Sequence, residues 1–207
     1  MHVALIGASG NAGSRILAEL VHRGHTVTAI VRDPARVPVL SGVEAKAGDV
    51  ADEAGLAALL AGHDAVISAV PFATTDAARL IATVRAAGVP RYLVVGGAGS
   101  LEVALGNFPL GLTLIDAPNF PEAYKQEAGA GCVFLDLLRA EKQLDWTFLS
   151  PSAMFIPGER TGTFRLGTDL LLSNENGSSI SFEDFAIALV DELEKPAHSR
   201  ARFTVGY

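Results

Sequence analysis

Short apolar runs alternate with helix-periodic segments along the first hundred residues. HVALIG (2–7) is almost unbroken in its apolarity and ends in glycine. NAGSRILAELVHRG (11–24) places Ile16, Leu17, Leu20 and Val21 on one helical face and stops at Gly24. The alternation then repeats. A β-branched strand is predicted over 25–32, a turn at DPARVP, a short strand over 43–49 and an Ala/Leu helix over 52–62. A strand over 64–70, a helix over 74–88 capped by Thr74 or Thr75, and a strand over 91–97 complete this half. Beyond residue 97 the signal weakens, and 101–120 is long, glycine- and proline-bearing and poorly periodic. The remaining pattern predicts a helix over 121–143 and a strand over 145–151. Two short strands around Gly162–Leu166 and Leu170–Leu172, a helix over 181–195 and a last strand over 201–207 follow. Repeated β-α units with apolar strands imply an α/β fold, a doubly wound parallel sheet covered by helices on both faces. One domain spans 1–207, with substrate-side insertions at 101–120 and 152–180.

Composition narrows the function classes. A net charge of −7 over 207 residues, with no Lys/Arg run, argues against nucleic acid and anionic membrane surfaces as partners. The single cysteine, Cys132, rules out an intramolecular disulfide framework and a cysteine-rich zinc cage. The start of the chain lacks a cationic flank and reads as a strand, not a signal peptide. No apolar stretch reaches the roughly 18–20 residues of a membrane helix, so a cytoplasmic protein is expected. His2, His22, His25, His63 and His198 lack metal-ligand spacing and fall mostly at element ends, where surface positions are expected.

The most informative segment is GASGNAG, with Gly7, Gly10 and Gly13 where the first strand turns into the first helix. A tight turn there needs glycine at positive φ, and a side chain would bar a diphosphate from the backbone. The helix N-terminus offers unpaired N–H groups and a positive dipole end. Gly7, Ser9, Gly10, Asn11, Ala12 and Gly13 are therefore candidates for a dinucleotide. The spacing is G-x-x-G-x-x-G and not the commoner G-x-G-x-x-G. No Lys-Ser/Thr follows, which excludes a Walker-type loop.

At the end of the second strand, where an acidic residue usually accepts ribose hydroxyls, stands Arg32, followed by Asp33 and Pro34. A guanidinium there suits a 2′-phosphate, so NADP(H) is favoured and NAD(H) is the alternative. A solvated Arg32, with Asp33 merely capping the next turn, is the structural reading. Asp49 and Val50 are placed to meet an adenine edge, or Asp49 caps a helix. Ala69, Val70 and Pro71 end the fourth strand with small residues that let a cofactor cross the carboxyl edge. Gly96 and Pro151 end the fifth and sixth strands on that edge.

With these residues in view, the chain resembles the atypical short-chain dehydrogenase/reductase superfamily. More narrowly, it resembles the NAD(P)H-binding group that includes NADH-flavin reductase-like proteins and NmrA-like redox sensors. GASGNAG (7–13), VRDP (31–34), GDV (48–50), VVGGAGSL (94–101) and YKQEA (124–128) carry the resemblance. It implies a Rossmann-type fold and NADP(H) or NAD(H) binding. Active members of the superfamily usually carry Tyr-x-x-x-Lys on a helix and a serine on the preceding strand. Here Lys125 follows Tyr124 directly and residue 128 is Ala128. Adjacent helical positions point about 100° apart, so the pair cannot reproduce one-turn geometry.

Tyr124, Lys125 and Ser100 are the catalytic candidates, against plain surface or turn roles for each. Hydride transfer to a flavin, quinone or similar acceptor demands less of a positioned proton donor than carbonyl reduction does. An NADPH-dependent reductase is thus the leading reading, and a non-catalytic NADP(H) sensor with a mobile partner surface the alternative. Phe72, Phe108, Phe120 and Phe155 are weighed as an apolar roof for an aromatic acceptor against ordinary core packing. Cys132 reads as an inert core residue, and Glu183 and Asp184 as dipole-matched carboxylates opening the last helix.

Overall fold

The alternating pattern folds in the order β1 (His2–Ile6), α1 (Asn11–His22), β2 (Thr26–Val31), β3 (Val43–Ala47), α2 (Glu53–Leu60), β4 (Ala65–Ser68), α3 (Ala77–Ala86) and β5 (Tyr92–Val95). It continues with α4 (Lys125–Ala140), β6 (Trp146–Ser150), β7 (Met154–Ile156), β8 (Arg165–Gly167), β9 (Ser179–Ser181), α5 (Phe182–Glu194) and β10 (Ala201–Gly206). This computed structural model describes residues 1–103 and 111–207. The main sheet runs β3-β2-β1-β4-β5-β6-β10-β8, parallel from β3 to β10, with β8 antiparallel at the edge. The first six strands follow the order of a Rossmann fold. A separate parallel pair joins β7 to β9.

Strands buried on both faces have little use for polar alternation. In β1, Val3 and Leu5 enter a core with Ile16, Leu17 and Leu20 of α1 and Phe185 and Leu189 of α5. Ala4 and Ile6 enter the opposite core with Leu56 of α2, Leu80 and Val84 of α3, and Phe134 and Leu138 of α4. Removing this apolar surface from water is the main term favouring the fold.

Several local expectations are corrected. Asp76, not Thr74 or Thr75, caps α3, its carboxylate accepting from Arg79 N at 3.1 Å. Thr74 sits in a 3-10 turn and Thr75 bonds back to Pro71 O at 2.7 Å. A 3-10 turn at Glu122–Tyr124 delays α4 to Lys125. In the tail, β8 falls at Arg165–Gly167, whereas Leu170 makes only an isolated bridge to Glu102. The β7 and β9 strands went unpredicted because three residues carry too little periodicity.

His25 and His63, expected at the surface, are buried. His63 Nε2 lies 2.8 Å from Thr28 Oγ1 and its Nδ1 3.0 Å from Leu60 O. His25 Nε2 lies 2.9 Å from Glu194. In both cases hydrogen-bond partners on β2, α2 or α5 make burial tolerable.

Candidate functional site

Strand register brings the glycine loop and the other cofactor candidates to one edge. Ile6 pairs with Ile30 and Ser68, Ser68 with Val94, and Val94 with Phe148. Each strand therefore ends at a similar height, and Gly7, Arg32, Ala69, Gly96 and Pro151 follow those ends. Backbone bonds extend the ladder one step past the strands: Gly7 N to Ile30 O (2.9 Å), Ala69 N to Ile6 O (2.9 Å), and Gly96 N to Leu149 O (2.8 Å).

Gly7 has φ +82, and a Cβ there would stand 2.2 Å from Ala69 O. A Cβ on Gly13 would stand 2.1 Å from Gly7 O, so the helix start is folded directly onto the turn. Gly10 differs. It is exposed, has ordinary φ −78 and ψ 174, and its Cβ would meet only Gly7 O at 3.3 Å. The N–H of Gly10 closes the turn onto Gly7 O at 3.0 Å, and Ser14 N makes the first helical bond to Gly10 O at 2.9 Å. The N–H groups of Asn11, Ala12 and Gly13 have no acceptor among the described residues. Among the described residues no side chain caps α1, and its first turn holds no acidic residue. An open mouth, free amides and a dipole end with no competing carboxylate fit a diphosphate.

Around this mouth, Arg32 is exposed and makes no hydrogen bond or ion pair among the described residues. Asp33 caps its own turn through Ala35 N at 3.1 Å. Asp49 Oδ1 accepts from Ala51 N at 2.9 Å, while Val50 packs against the core beside α2 and α4. Gly96 is pressed against β6, where a Cβ would stand 2.4 Å from the Phe148 ring. Pro151 is buried, and Ser152 donates to Val205 O at 3.1 Å. Val70 packs on the α4-side core.

The catalytic candidates share no hydrogen bond or ion pair with one another among the described residues. Tyr124 is 64% exposed. Lys125, half exposed, pairs with Glu122 at 2.7 Å. Ser100 lies in the loop after β5, and its Oγ accepts from Arg202 Nη1 at 3.3 Å. Of the aromatic residues, Phe72 packs on Phe134 and Phe148 against one face of the sheet. Phe155 packs on Phe182 and Phe185 against the other. These two rings belong to separate cores and form no common roof; Phe120 is partly buried and Phe108 lies outside the described residues. Burial pushes the Cys132 thiol up, in keeping with an inert residue.

Sequence reasoning missed three groups. Glu127 at the start of α4 accepts from Phe72 N (2.7 Å) and Ala73 N (2.8 Å), tying the helix to the segment that follows Pro71. Glu183 and Asp184 do more than match the helix dipole. Glu183 accepts from Arg15 and from Gly158 N, both at 2.9 Å. Asp184, fully buried, accepts from Thr161 N and Gly162 N (each 2.8 Å), Thr161 Oγ1 (2.6 Å) and Tyr207 OH (2.8 Å). Together they strap residues 158–162 across α1 and α5. Arg202 is the third, a charge inside a strand whose alternate positions Phe203 and Val205 are core; that break in pattern was the available signal.

A cavity of about 390 Å³ lined by Arg23, Leu166, Glu192, His198 and Phe203 sits at the opposite edge, beside the start of β10. Its carboxylates already have partners, Glu192 holding Arg91 and His198 and Glu194 holding Arg23, so the glycine edge is the better site. Among the described residues there is no cluster of metal-ligating side chains, and no helix is long and apolar enough to cross a membrane.

Comparison with known proteins agrees with this geometry. A solved structure from Bacteroides thetaiotaomicron, described as a "putative epimerase", is 41% identical and covers 100% of this chain and 96% of its own, with TM-score 0.90. SP1627 of Streptococcus pneumoniae TIGR4, a "putative NADH-flavin reductase", is 40% identical over 100% of this chain and 99% of its own, with TM-score 0.85. An NAD(P)H azoreductase of Xenophilus azovorans is 26% identical over 98% of this chain and 67% of its own length. The NAD(P)H-binding family matches residues 7–196, from the first glycine of the loop to just past the last helix. The chain belongs to that NAD(P)H-binding family.

Proposed function

We propose that this protein is an NADPH-dependent oxidoreductase that reduces a flavin, a quinone or a similar conjugated acceptor. The observation that carries the reading is the open N-terminus of α1. Its three amides, unpaired among the described residues, and the exposed Gly10 backbone offer the diphosphate a preformed seat. Arg32 supports the phosphorylated cofactor, because its guanidinium is exposed beside the end of β2 with no protein partner among the described residues. Asp33, the acidic alternative for ribose hydroxyls, is engaged with its own turn.

When bound, the dihydronicotinamide supplies a hydride, so that NADPH, acceptor and one proton give NADP⁺ and reduced acceptor. The chain's residues do the rest: the glycine turn holds the diphosphate, and Arg32 meets the 2′-phosphate. The small residues Ala69 to Pro71 leave the edge of β4 clear. Tyr124 is exposed and Lys125 pairs with Glu122, so the two are not arranged as a tyrosine-lysine dyad. That suits an acceptor that draws its proton from water, and it weighs against an epimerase, whose alcohol and ketone must exchange protons with a positioned acid-base group. The flavin-reductase description of SP1627 and the azoreductase relative point the same way.

Steady-state NADPH oxidation against FMN, menadione and an azo dye tests the reading, with the Gly10→Asp variant as background. Wild type is expected to turn over at least one acceptor well above that background. Its kcat/KM should favour NADPH over NADH, a preference that Arg32→Ala reduces about tenfold, the size of a lost charge-assisted hydrogen bond. Turnover no faster than Gly10→Asp for every acceptor contradicts it.

A further inference from the structure

Arg202 is a cation at the second position of β10. Phe203 and Val205 face the α1/α5 core, so strand alternation turns Arg202 and Thr204 toward the α4 face. The Arg202 side chain is 4% exposed, whereas its ion-pair partner Asp169 is 57% exposed. Burying a guanidinium is costly even when it is paired. Loop anchoring does not require it here. The backbone already fastens the segment carrying Asp169, with Glu102 N donating to Asp169 O and Leu171 N to Glu102 O, both at 2.8 Å. What the buried charge adds is its remaining bond, from Nη1 to Ser100 Oγ at 3.3 Å.

That bond fixes how Ser100 can act. Its oxygen accepts from Arg202, so its own O–H points elsewhere, and it has no acceptor among the described residues. The backbone on either side is held by Leu101 N to Ala98 O (2.9 Å) and Ile115 N to Gly99 O (3.0 Å). Gly99 lies tight against α4, where a Cβ would stand 3.0 Å from Ala128 Cβ. Ser100 also lies in the loop that leaves the carboxyl end of β5, on the edge that carries the glycine turn. A dinucleotide whose diphosphate sits at α1 extends its reacting half along this edge.

We propose that Arg202 is a positioning residue that presents the Ser100 hydroxyl to the acceptor, at the atom that gains negative charge on reduction. The inference rests on the reductase reading. Hydride transfer breaks a C–H bond of the donor and forms a new bond to hydrogen on the acceptor. The electron pair displaced through the conjugated ring collects on an oxygen or nitrogen. Ser100 donates a hydrogen bond to that atom, polarised by the guanidinium behind it, until water supplies the proton. The acceptor class is therefore one with a ring oxygen or nitrogen conjugated to the hydride-accepting position, as in isoalloxazines and quinones.

The test uses NADPH with FMN and menadione on the full chain, with Ser100→Ala, Ser100→Thr, Arg202→Gln and the double variant Ser100→Ala/Arg202→Gln. Ser100→Ala and Arg202→Gln should each lose about tenfold in kcat, with NADPH affinity by titration changed less than about twofold. Ser100→Thr, which keeps the hydroxyl, should remain near wild type. The double variant should fall no further than Ser100→Ala alone, because Arg202 acts through the serine. A merely structural arginine gives independent, multiplying losses and drags NADPH affinity down with kcat. Arg202→Lys replaces Arg202→Gln if the latter loses its cooperative thermal transition, and should hold part of the rate.

FMN binding in the presence of NADP⁺, read by flavin fluorescence, needs no turnover and should weaken about threefold or more in Ser100→Ala. Ser100→Ala at the wild-type rate, multiplying losses in the double variant, or unchanged FMN affinity overturns the proposal. A wild type that binds FMN without oxidising NADPH overturns the reductase reading while the binding comparison still judges Ser100. A wild type that neither turns over nor binds these probes overturns both.

Discussion

Gly7, Gly10 and Gly13 share one loop but have different neighbours, and so different costs of substitution. Gly7 combines φ +82 with backbone 2.2 Å from a would-be Cβ, and Gly13 meets backbone at 2.1 Å. Neither contact can relax without moving the turn off β4 or α1 off the turn. Gly10 has extended dihedrals that any residue adopts, and its Cβ would crowd a single backbone atom, Gly7 O at 3.3 Å. Gly7→Ala and Gly13→Ala should therefore each cost about 2–5 kcal/mol, from backbone strain and overpacking. Gly10→Ala should cost less, about 1 kcal/mol, from the poorer N-cap and one mild backbone contact. Equal losses at all three positions in thermal denaturation would contradict this division. The three glycines were legible in the sequence as a group. Their division was not, since it depends on which backbone atom lies across the turn.

At the scale of elements, one carboxylate ties the start of α4 to the sheet edge, while Phe134 and Leu138 pack the rest of the helix on the core. Glu127 accepts from the N–H groups of Phe72 and Ala73, which open the 3-10 turn following β4. Gly131, one turn further on, admits the Phe72 ring, where a Cβ would stand 3.0 Å from ring carbon Cδ2. The clamp thus fixes the segment just beyond Ala69, Val70 and Pro71. Glu127→Ala leaves two partly buried donors without their acceptor and should cost about 2–4 kcal/mol in denaturant unfolding. Hydrogen exchange at Phe72 and Ala73 should lose protection selectively; unchanged protection there argues against the clamp. Element order was readable because α1, α3 and α5 carry their periodicity openly and the early strands are apolar runs. The strap over 158–162 was not, because its order comes from Glu19, Glu183 and Asp184, residues distant in sequence and unremarkable on a helix. Asp76 displaced Thr74 and Thr75 as the α3 cap for a similar reason: the residue nearest the helix start takes the free Arg79 N–H.

Across the whole molecule, buried and paired charges set the dependence of stability on pH. Burial holds the His63 imidazole below the ordinary histidine value of 6.5. The unfolded chain then binds a proton that the folded chain refuses, so His63 permits full stability above pH 6.5 and lowers it as pH falls through the interval beneath. The hydrogen bond from Arg160 holds the Glu19 carboxyl below 4.5, against its partial desolvation. Glu183 is also lowered: burial opposes the shift, but the bonds from Arg15 and Gly158 N outweigh it. Their contribution is present above pH 4.5 and is lost as pH falls further, through their folded-state values. Stability should therefore decline in two stages on acidification, and His63→Gln should remove the first alone. A single decline beginning below pH 4.5 in wild type contradicts the burial of His63. Net charge and fold class were legible at this scale, whereas the buried histidines were not, because element ends usually lie at the surface.

The central claim is that the first β-to-α turn holds the diphosphate of NADP(H), and calorimetric titration of NADPH into wild type and Gly10→Asp tests it most directly. Aspartate suits the helix N-cap, so that variant should fold as well as wild type while its carboxylate occupies and repels the diphosphate position. The account predicts saturable one-to-one binding by wild type and a loss of at least about a hundredfold in Gly10→Asp at an unchanged thermal midpoint, about 2.7 kcal/mol or more. Equal affinity in the two proteins, or no heat of binding in wild type, contradicts it.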